Sequence, residues 1–170
     1  MRVLIIRHGR AEDRPSSPGA LKHDAARRLT PSGRKDMRQV ARGLHRIAPA
    51  IDVLAASPLV RAGETAEIVG RVFDGAEPIE LQALAPGGAP KALLKWLAQQ
   101  PSDATVALVG HEPDLSRLAG LLLAGRGESF LDLKKGAACL VEFDGRPKPG
   151  AGRLLWALAP GQLRRLAGCA

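Results

Sequence analysis

The sequence predicts an α/β fold of three layers, α/β/α, with a mostly parallel central sheet. Three features carry that prediction. Short apolar runs of strand length, Val3 to Ile6, Asp52 to Ala56 and Ala104 to Val109, are each followed, after a loop or turn, by a segment of helical periodicity. These runs are apolar throughout instead of alternating, the pattern of strands covered on both faces. Strand and helix segments also take turns along most of the chain, an order that builds parallel sheets with helices on either side. At 170 residues the chain is long enough to bury a substantial core, and residues 1–170 are read as one domain.

The first strand lies in Met1 to Arg10 and ends abruptly in Arg7-His8-Gly9. Arg10 to Arg28 contains Pro15, Ser16, Ser17, Pro18 and Gly19, has no period, and reads as a long loop leaving from that strand end. Thr30 and Pro31 then suit the N-cap and first position of a helix, with Met37, Val40, Ala41, Leu44 and Ile47 on its buried face and Pro49 as its stop. After Asp52 to Ala56 and Ser57-Pro58, a helix is expected over Leu59 to Phe73, buried through Leu59, Ala62, Ala66, Val69 and Phe73. Pro78 to Leu84 reads as a weak strand and loop, and Pro90 to Gln99 as a helix. Ala104 to Val109 is the strongest strand and runs into Gly110-His111-Glu112-Pro113, ahead of a helix over Asp114 to Ala124. Ala137 to Phe143 and Arg153 to Ala159 form a C-terminal hairpin about Asp144-Gly145, and Gly161 to Ala167 is a short helix or frayed end.

Composition narrows the function classes. No run of about eighteen apolar residues is present, Leu118 to Ala124 is too short to span a bilayer, and the N-terminus enters a strand without a signal pattern, so a cytoplasmic protein without membrane association is expected. Cys139 and Cys169 match no metal or redox spacing, and neither a metal nor another cofactor is expected. The net charge of +8 is localised: residues 1–50 hold 12 Lys or Arg against 4 acids, and residues 51–170 hold 13 against 13. Such a field favours an anionic ligand or an acidic partner. Three Phe, two Trp and no Tyr leave little for base stacking, which argues against nucleic acid. Arg34, Arg38, Arg42 and Arg46 recur every fourth residue, either as a solvated face or as a docking ridge for an acidic protein.

In parallel sheets ligands bind beyond the carboxyl ends of the strands. Arg7 and His8 follow one strand, Arg61 follows the second by a few residues, and His111 follows the strongest. A cation in the first turn of a helix, as at Arg61, is unfavourable for the helix dipole unless it meets an anion. Two arginines and two histidines converging on one rim suit a phosphoryl group.

Arg7-His8-Gly9, Ser57-Pro58-Leu59-Val60-Arg61-Ala62 with Thr65-Ala66, and Gly110-His111 together resemble the signature of the histidine phosphatase superfamily, phosphoglycerate-mutase-like in fold. Arg27-Arg28-Leu29-Thr30 with Gly33, and Gly110-His111-Glu112-Pro113, are similar to its SixA-type phosphohistidine phosphatase branch. The resemblance implies a metal-independent hydrolase in which His8 is the nucleophile, Arg7 and Arg61 clamp phosphoryl oxygens, and His111 adds a hydrogen bond or charge. Gly9 would let the backbone approach the substrate, with Ser57, Asp24 and Arg27 as supporting candidates. It further implies a monomer acting on a phosphohistidine-bearing protein, either an acidic phosphorelay carrier or a phosphotransfer domain. A small phosphorylated metabolite, or phosphate binding without turnover, are the alternatives. Larger members of the superfamily carry a glutamate general acid where this chain has Ala83, with Glu80 three residues away. Loss of the acid favours a leaving group that solvent can protonate, such as imidazole.

Overall fold

The computed structural model describes residues 1–13, 24–48 and 50–168. Its strands are β1 (Arg2–Arg7), β2 (Val53–Ala56), β3 (Pro78–Glu80), β4 (Thr105–Gly110), β5 (Ala138–Glu142) and β6 (Arg153–Leu158). Its helices are α1 (Pro31–Ile47), α2 (Val60–Val72), α3 (Pro90–Leu97), α4 (Asp114–Ala124) and α5 (Pro160–Gly168). The sheet order is β3-β2-β4-β1-β5-β6. β1 to β4 are mutually parallel, while β5 runs antiparallel to both β1 and β6. The expected α/β class, mostly parallel sheet and C-terminal hairpin are what this topology contains.

Both faces of the sheet are covered, and β1 shows how. Val3 and Ile5 point into a core shared with Leu93 and Leu97 of α3 and Leu115, Leu118 and Leu122 of α4. Leu4 and Ile6 point the other way, among Met37, Val40 and Leu44 of α1, Ala62, Ala66 and Val69 of α2, and Leu163 of α5. All four β1 side chains are fully buried. Burying an aliphatic side chain of this size contributes about 1.5–3 kcal/mol, so the unbroken apolar run is what a strand between two helical layers requires.

Element boundaries depart from the sequence reading only at their ends. Thr30 caps α1 by accepting the Gly33 N–H at 2.9 Å, with Pro31 at the first helical position. Pro49, read as the stop of α1, lies outside the described residues, as does the 14–23 portion of the loop. The flanks of that loop meet in an antiparallel bridge between Ala11 and Leu29, so it leaves and returns at one place. The weak Pro78 to Leu84 segment divides into β3 and a 3₁₀ turn over Gln82–Leu84. α3 stops at Leu97 rather than Gln99. Among the described residues no helix is long and apolar enough to cross a membrane. Cys139 is buried in the sheet, and burial pushes its thiol up to about 12; Cys169 lies outside the described residues.

The chain's last helix, α5, packs on α1 at Gly43, where a Cβ would run into the backbone carbonyl of Leu163. Neither helix can recede without opening the core around Leu163. Gly43→Ala is therefore expected to cost about 1–3 kcal/mol in urea unfolding, as overpacked sites do, despite alanine's better helix propensity. Gly63→Ala on α2, where a Cβ would meet nothing, is the control expected to be neutral or stabilising.

Candidate active site

The order β2-β4-β1 sets three strand ends side by side. Arg7 is in register with Gly110, the His8 N–H donates to the Gly110 carbonyl at 3.1 Å, and the Ser57 N–H donates to Val109 at 2.9 Å. Ser57, His111 and His8 thus emerge as neighbours at the carboxyl rim, and α2 brings Arg61 in beside them. The rings of His8 and His111 lie 4.9 Å apart.

His8 is 6 % exposed, and its hydrogen bonds fix its chemistry. Nδ1 lies 2.7 Å from the Gly9 carbonyl, which only accepts, so Nδ1 carries the proton. Nε2 then keeps its lone pair, toward which Arg61 Nε–H donates at 3.3 Å. Burial lowers the His8 pKa to about 3; the Gly9 carbonyl opposes this, while His111, Arg61 and Arg7 add to it. The ring is neutral at physiological pH and presents Nε2 into a cationic surround. Gly9 also holds the site together from within. Its N–H donates to Thr65 Oγ1 at 3.1 Å, its carbonyl holds His8, and a Cβ there would strike Met37 of α1.

Arg61 is 4 % exposed and held by Asp24: Nη1 donates to the Asp24 carbonyl at 2.7 Å and Nη2 to its carboxylate at 3.0 Å. Arg27 Nη1 donates to the other Asp24 oxygen at 2.6 Å and Arg27 Nε to the Glu12 carbonyl at 2.8 Å. Burial raises the Asp24 pKa, but Arg27 and Arg61 outweigh it and hold the carboxyl at about 2. Asp24 and Arg27 therefore do reach the site, as a brace on Arg61. Thr65, which the sequence reading left without a role, ties the Arg61 backbone to Gly9 by donating to the Arg61 carbonyl at 2.7 Å while accepting from the Gly9 N–H.

On the other side of His8, Arg7 Nη1 donates to the Leu133 carbonyl at 2.6 Å. His111 Nε2 lies 2.8 Å from Ser57 Oγ, which fixes the ring. Burial, then Arg61, lowers the His111 pKa to about 4; Asp24 opposes them and Arg7 and Arg27 assist. Of the two expected roles of His111, hydrogen bonding fits this neutral ring and a standing positive charge does not. Arg7 Nε and His111 Nδ1 are buried without a hydrogen-bond partner among the described residues.

Glu80, the carboxylate considered beside Ala83, is not the acidic group of the rim. Ala83 is half-buried in the 3₁₀ turn against the α3/α4 core, and Glu80 is exposed on β3. The carboxyl overlooked by the sequence reading is Glu112, directly after His111. Burial raises its pKa, against the pull of Ser116 and Arg7, and its Oε1 is buried without a partner among the described residues. Glu64 was missed too. It accepts from Leu29 N–H at 2.7 Å, Arg28 Nε at 2.8 Å and Arg34 Nη2 at 2.6 Å, and so pins the segment behind Arg27 to α2. This removes Arg34 from the four-arginine row; Arg38, Arg42 and Arg46 remain exposed.

Comparison with known proteins gives a consistent picture. Residues 3–85 match the model of the histidine phosphatase superfamily, branch 1. An uncharacterised protein of Picosynechococcus sp. is 36 % identical over 137 residues, covering 79 % of this chain and 81 % of that one. The structure of the protein histidine phosphatase SixA complexed with tungstate superposes with a TM-score of 0.81 at 28 % identity, covering 96 % of this chain and 99 % of that one. A mutant phosphoserine phosphatase of Entamoeba histolytica in complex with phosphoserine shares the fold at 16 % identity and a TM-score of 0.66, covering 95 % of this chain and 98 % of that one.

The two lowered histidines contribute to the acid response of the fold between pH 7 and pH 5. Between pH 6.5 and the folded-state values of about 3 and 4, the unfolded chain binds protons that the native chain does not. Their stabilising contribution is therefore complete above pH 6.5 and declines as pH falls, by up to about 1.4 kcal/mol per pH unit for each histidine. Urea unfolding of the wild type at pH 7 and pH 5 should show this loss, and His8→Asn should flatten the slope whatever it does to stability at pH 7.

Proposed function

Because the chain belongs to the histidine phosphatase superfamily, with a SixA-type fold, we propose that it is a metal-independent phosphohistidine phosphatase acting on a phosphorelay or phosphotransfer carrier protein. Members of this superfamily are phosphatases that work through a histidine nucleophile. The observation that carries the reading is His8 itself: neutral, with Nδ1 tied to Gly9 and Nε2 presented between Arg61 and the ring of His111.

His8 Nε2 attacks phosphorus in line, forming a new P–N bond as the bond from phosphorus to the substrate imidazole breaks. The departing nitrogen takes its proton from solvent. The proton stays on His8 Nδ1, hydrogen-bonded to the Gly9 carbonyl, so the ring becomes a cationic phosphohistidine without having to lose a proton. Water then displaces His8 from phosphorus and releases phosphate. Arg7 and Arg61 offset the charge on the equatorial oxygens, and His111, oriented by Ser57, contributes a hydrogen bond. Asp24 and Arg27 hold Arg61 in place. Held ionised down to about pH 2, Asp24 is unsuited to donating a proton near neutrality.

Glu112 favours the second reading, a phosphomonoesterase on small molecules, because a carboxyl with an upward-shifted pKa is the acid that an alkoxide leaving group needs. The two readings separate in kcat/KM for a phosphohistidine peptide and a simple alkyl phosphate. A P–N substrate should be favoured by about 10²- to 10⁴-fold, the usual worth of general acid help. His8→Ala should abolish both activities, and Glu112→Gln should leave the phosphohistidine rate little changed. Comparable wild-type rates, with the ester activity lost in Glu112→Gln, would make the metabolite phosphatase the better account.

A further inference from the structure

A cleft of about 450 Å³ adjoins the histidine site on the side of Arg7 and Gly9. Its walls come from the loop after β1 (Arg10), from α1 (Asp36, Met37, Val40), from the segment leading into β5 (Asp132, Lys134, Lys135, Gly136) and from α5 (Pro160, Arg164). Five cations face it against two carboxylates. Asp36 is paired with Arg164 at 3.3 Å, so these two largely cancel. Arg10, Lys134 and Lys135 form no ion pair among the described residues, and Asp132 is the remaining carboxylate on the wall. Lys135 also feels Arg7, Arg27 and Arg10 on one side and Asp13 on the other; partial burial and those arginines lower its pKa. Gathering like charges that have no local partner costs stability, and a site of this kind is normally completed by an anion.

We propose that this cleft docks an acidic polypeptide segment lying beside the phosphorylated residue of a protein substrate. The cations free of ion pairs come from two segments, the loop after β1 (Arg10) and the segment leading into β5 (Lys134, Lys135), on the wall of a cleft large enough for several residues of peptide. Met37, Val40 and Pro160 give the cleft an apolar floor suited to a peptide backbone and its side-chain stems. Among the described residues it carries no aromatic side chain on which a base could stack. The proposal rests on the phosphohistidine phosphatase reading and adds a specificity determinant to it: Lys134 and Lys135 select the partner without touching the phosphoryl group.

The test uses the full chain and the double variant Lys134→Glu/Lys135→Glu, both positions being exposed. Three substrates are compared: phosphoramidate, a phosphohistidine peptide flanked by Asp and Glu, and the same peptide flanked by Ser and Asn. The wild type should prefer the acidic peptide by about tenfold in kcat/KM at low salt, with the preference fading as salt rises. The double variant should lose that preference and keep its phosphoramidate rate. Equal wild-type rates on the two peptides, or a variant equally impaired on all three substrates, would overturn the proposal. Fluorescence anisotropy of an unphosphorylated acidic peptide tests the cleft without turnover: the wild type should bind it and the variant should not. No wild-type binding, or equally good competition by a thymidine oligonucleotide of matched charge, would also overturn it. Binding without turnover of any substrate would refute the phosphatase reading alone.

Discussion

The hydrogen bond from His8 Nδ1 to the Gly9 carbonyl is the contact on which the remainder of the site depends. Without it a buried imidazole surrounded by Arg7, Arg61 and His111 would have no fixed tautomer, and its lone pair would have no fixed direction. With it, the residue next in the chain dictates which nitrogen faces the rim. The Gly9 carbonyl is itself immobilised, because the Gly9 N–H is bound to Thr65 and the absence of a Cβ lets Met37 close over it. Sheet, α1 and α2 all meet at that one peptide.

Burial and positive charge act on His8 in the same direction. Both disfavour its protonation, so the arginines that would receive an anion also keep the histidine nucleophilic. The cost of crowding two arginines near two histidines is met at Arg61 by Asp24, whose carboxyl is held well below its usual range. Arg27 in turn occupies the second Asp24 oxygen. The site is thus a graded arrangement, with neutral rings at its centre, arginines around them and a carboxylate behind one arginine.

Much of this could be read from the chain, and the parts that could not share a physical reason. Unbroken apolar runs ending in Arg7-His8-Gly9 and Gly110-His111 locate strand ends directly, because a strand buried on both faces has one possible pattern and its carboxyl end one possible environment. Thr30-Pro31 marks a helix start for equally local reasons. Partnerships across the fold carry no such signature. The Asp24 brace spans 37 positions to Arg61, and Glu64 gathers Leu29, Arg28 and Arg34 from 30 or more positions away. The regular spacing of Arg34 with Arg38, Arg42 and Arg46 concealed that the first of them is committed to Glu64. Gly9 was legible as a residue that must be small, but the neighbour enforcing this is Met37, one layer above the sheet. Glu112 lay within a motif already noted, yet its raised pKa follows from burial that the tetrapeptide does not encode.

The central claim is that His8 is a neutral imidazole with its proton on Nδ1, and ¹⁵N NMR of histidine-labelled protein tests it most directly. The expected spectrum assigns His8 a protonated Nδ1 and an unprotonated Nε2, with no titration between pH 8 and pH 5, consistent with a pKa of about 3. A His8 resonance that titrates near the ordinary histidine value, or one with its proton on Nε2, would contradict the account.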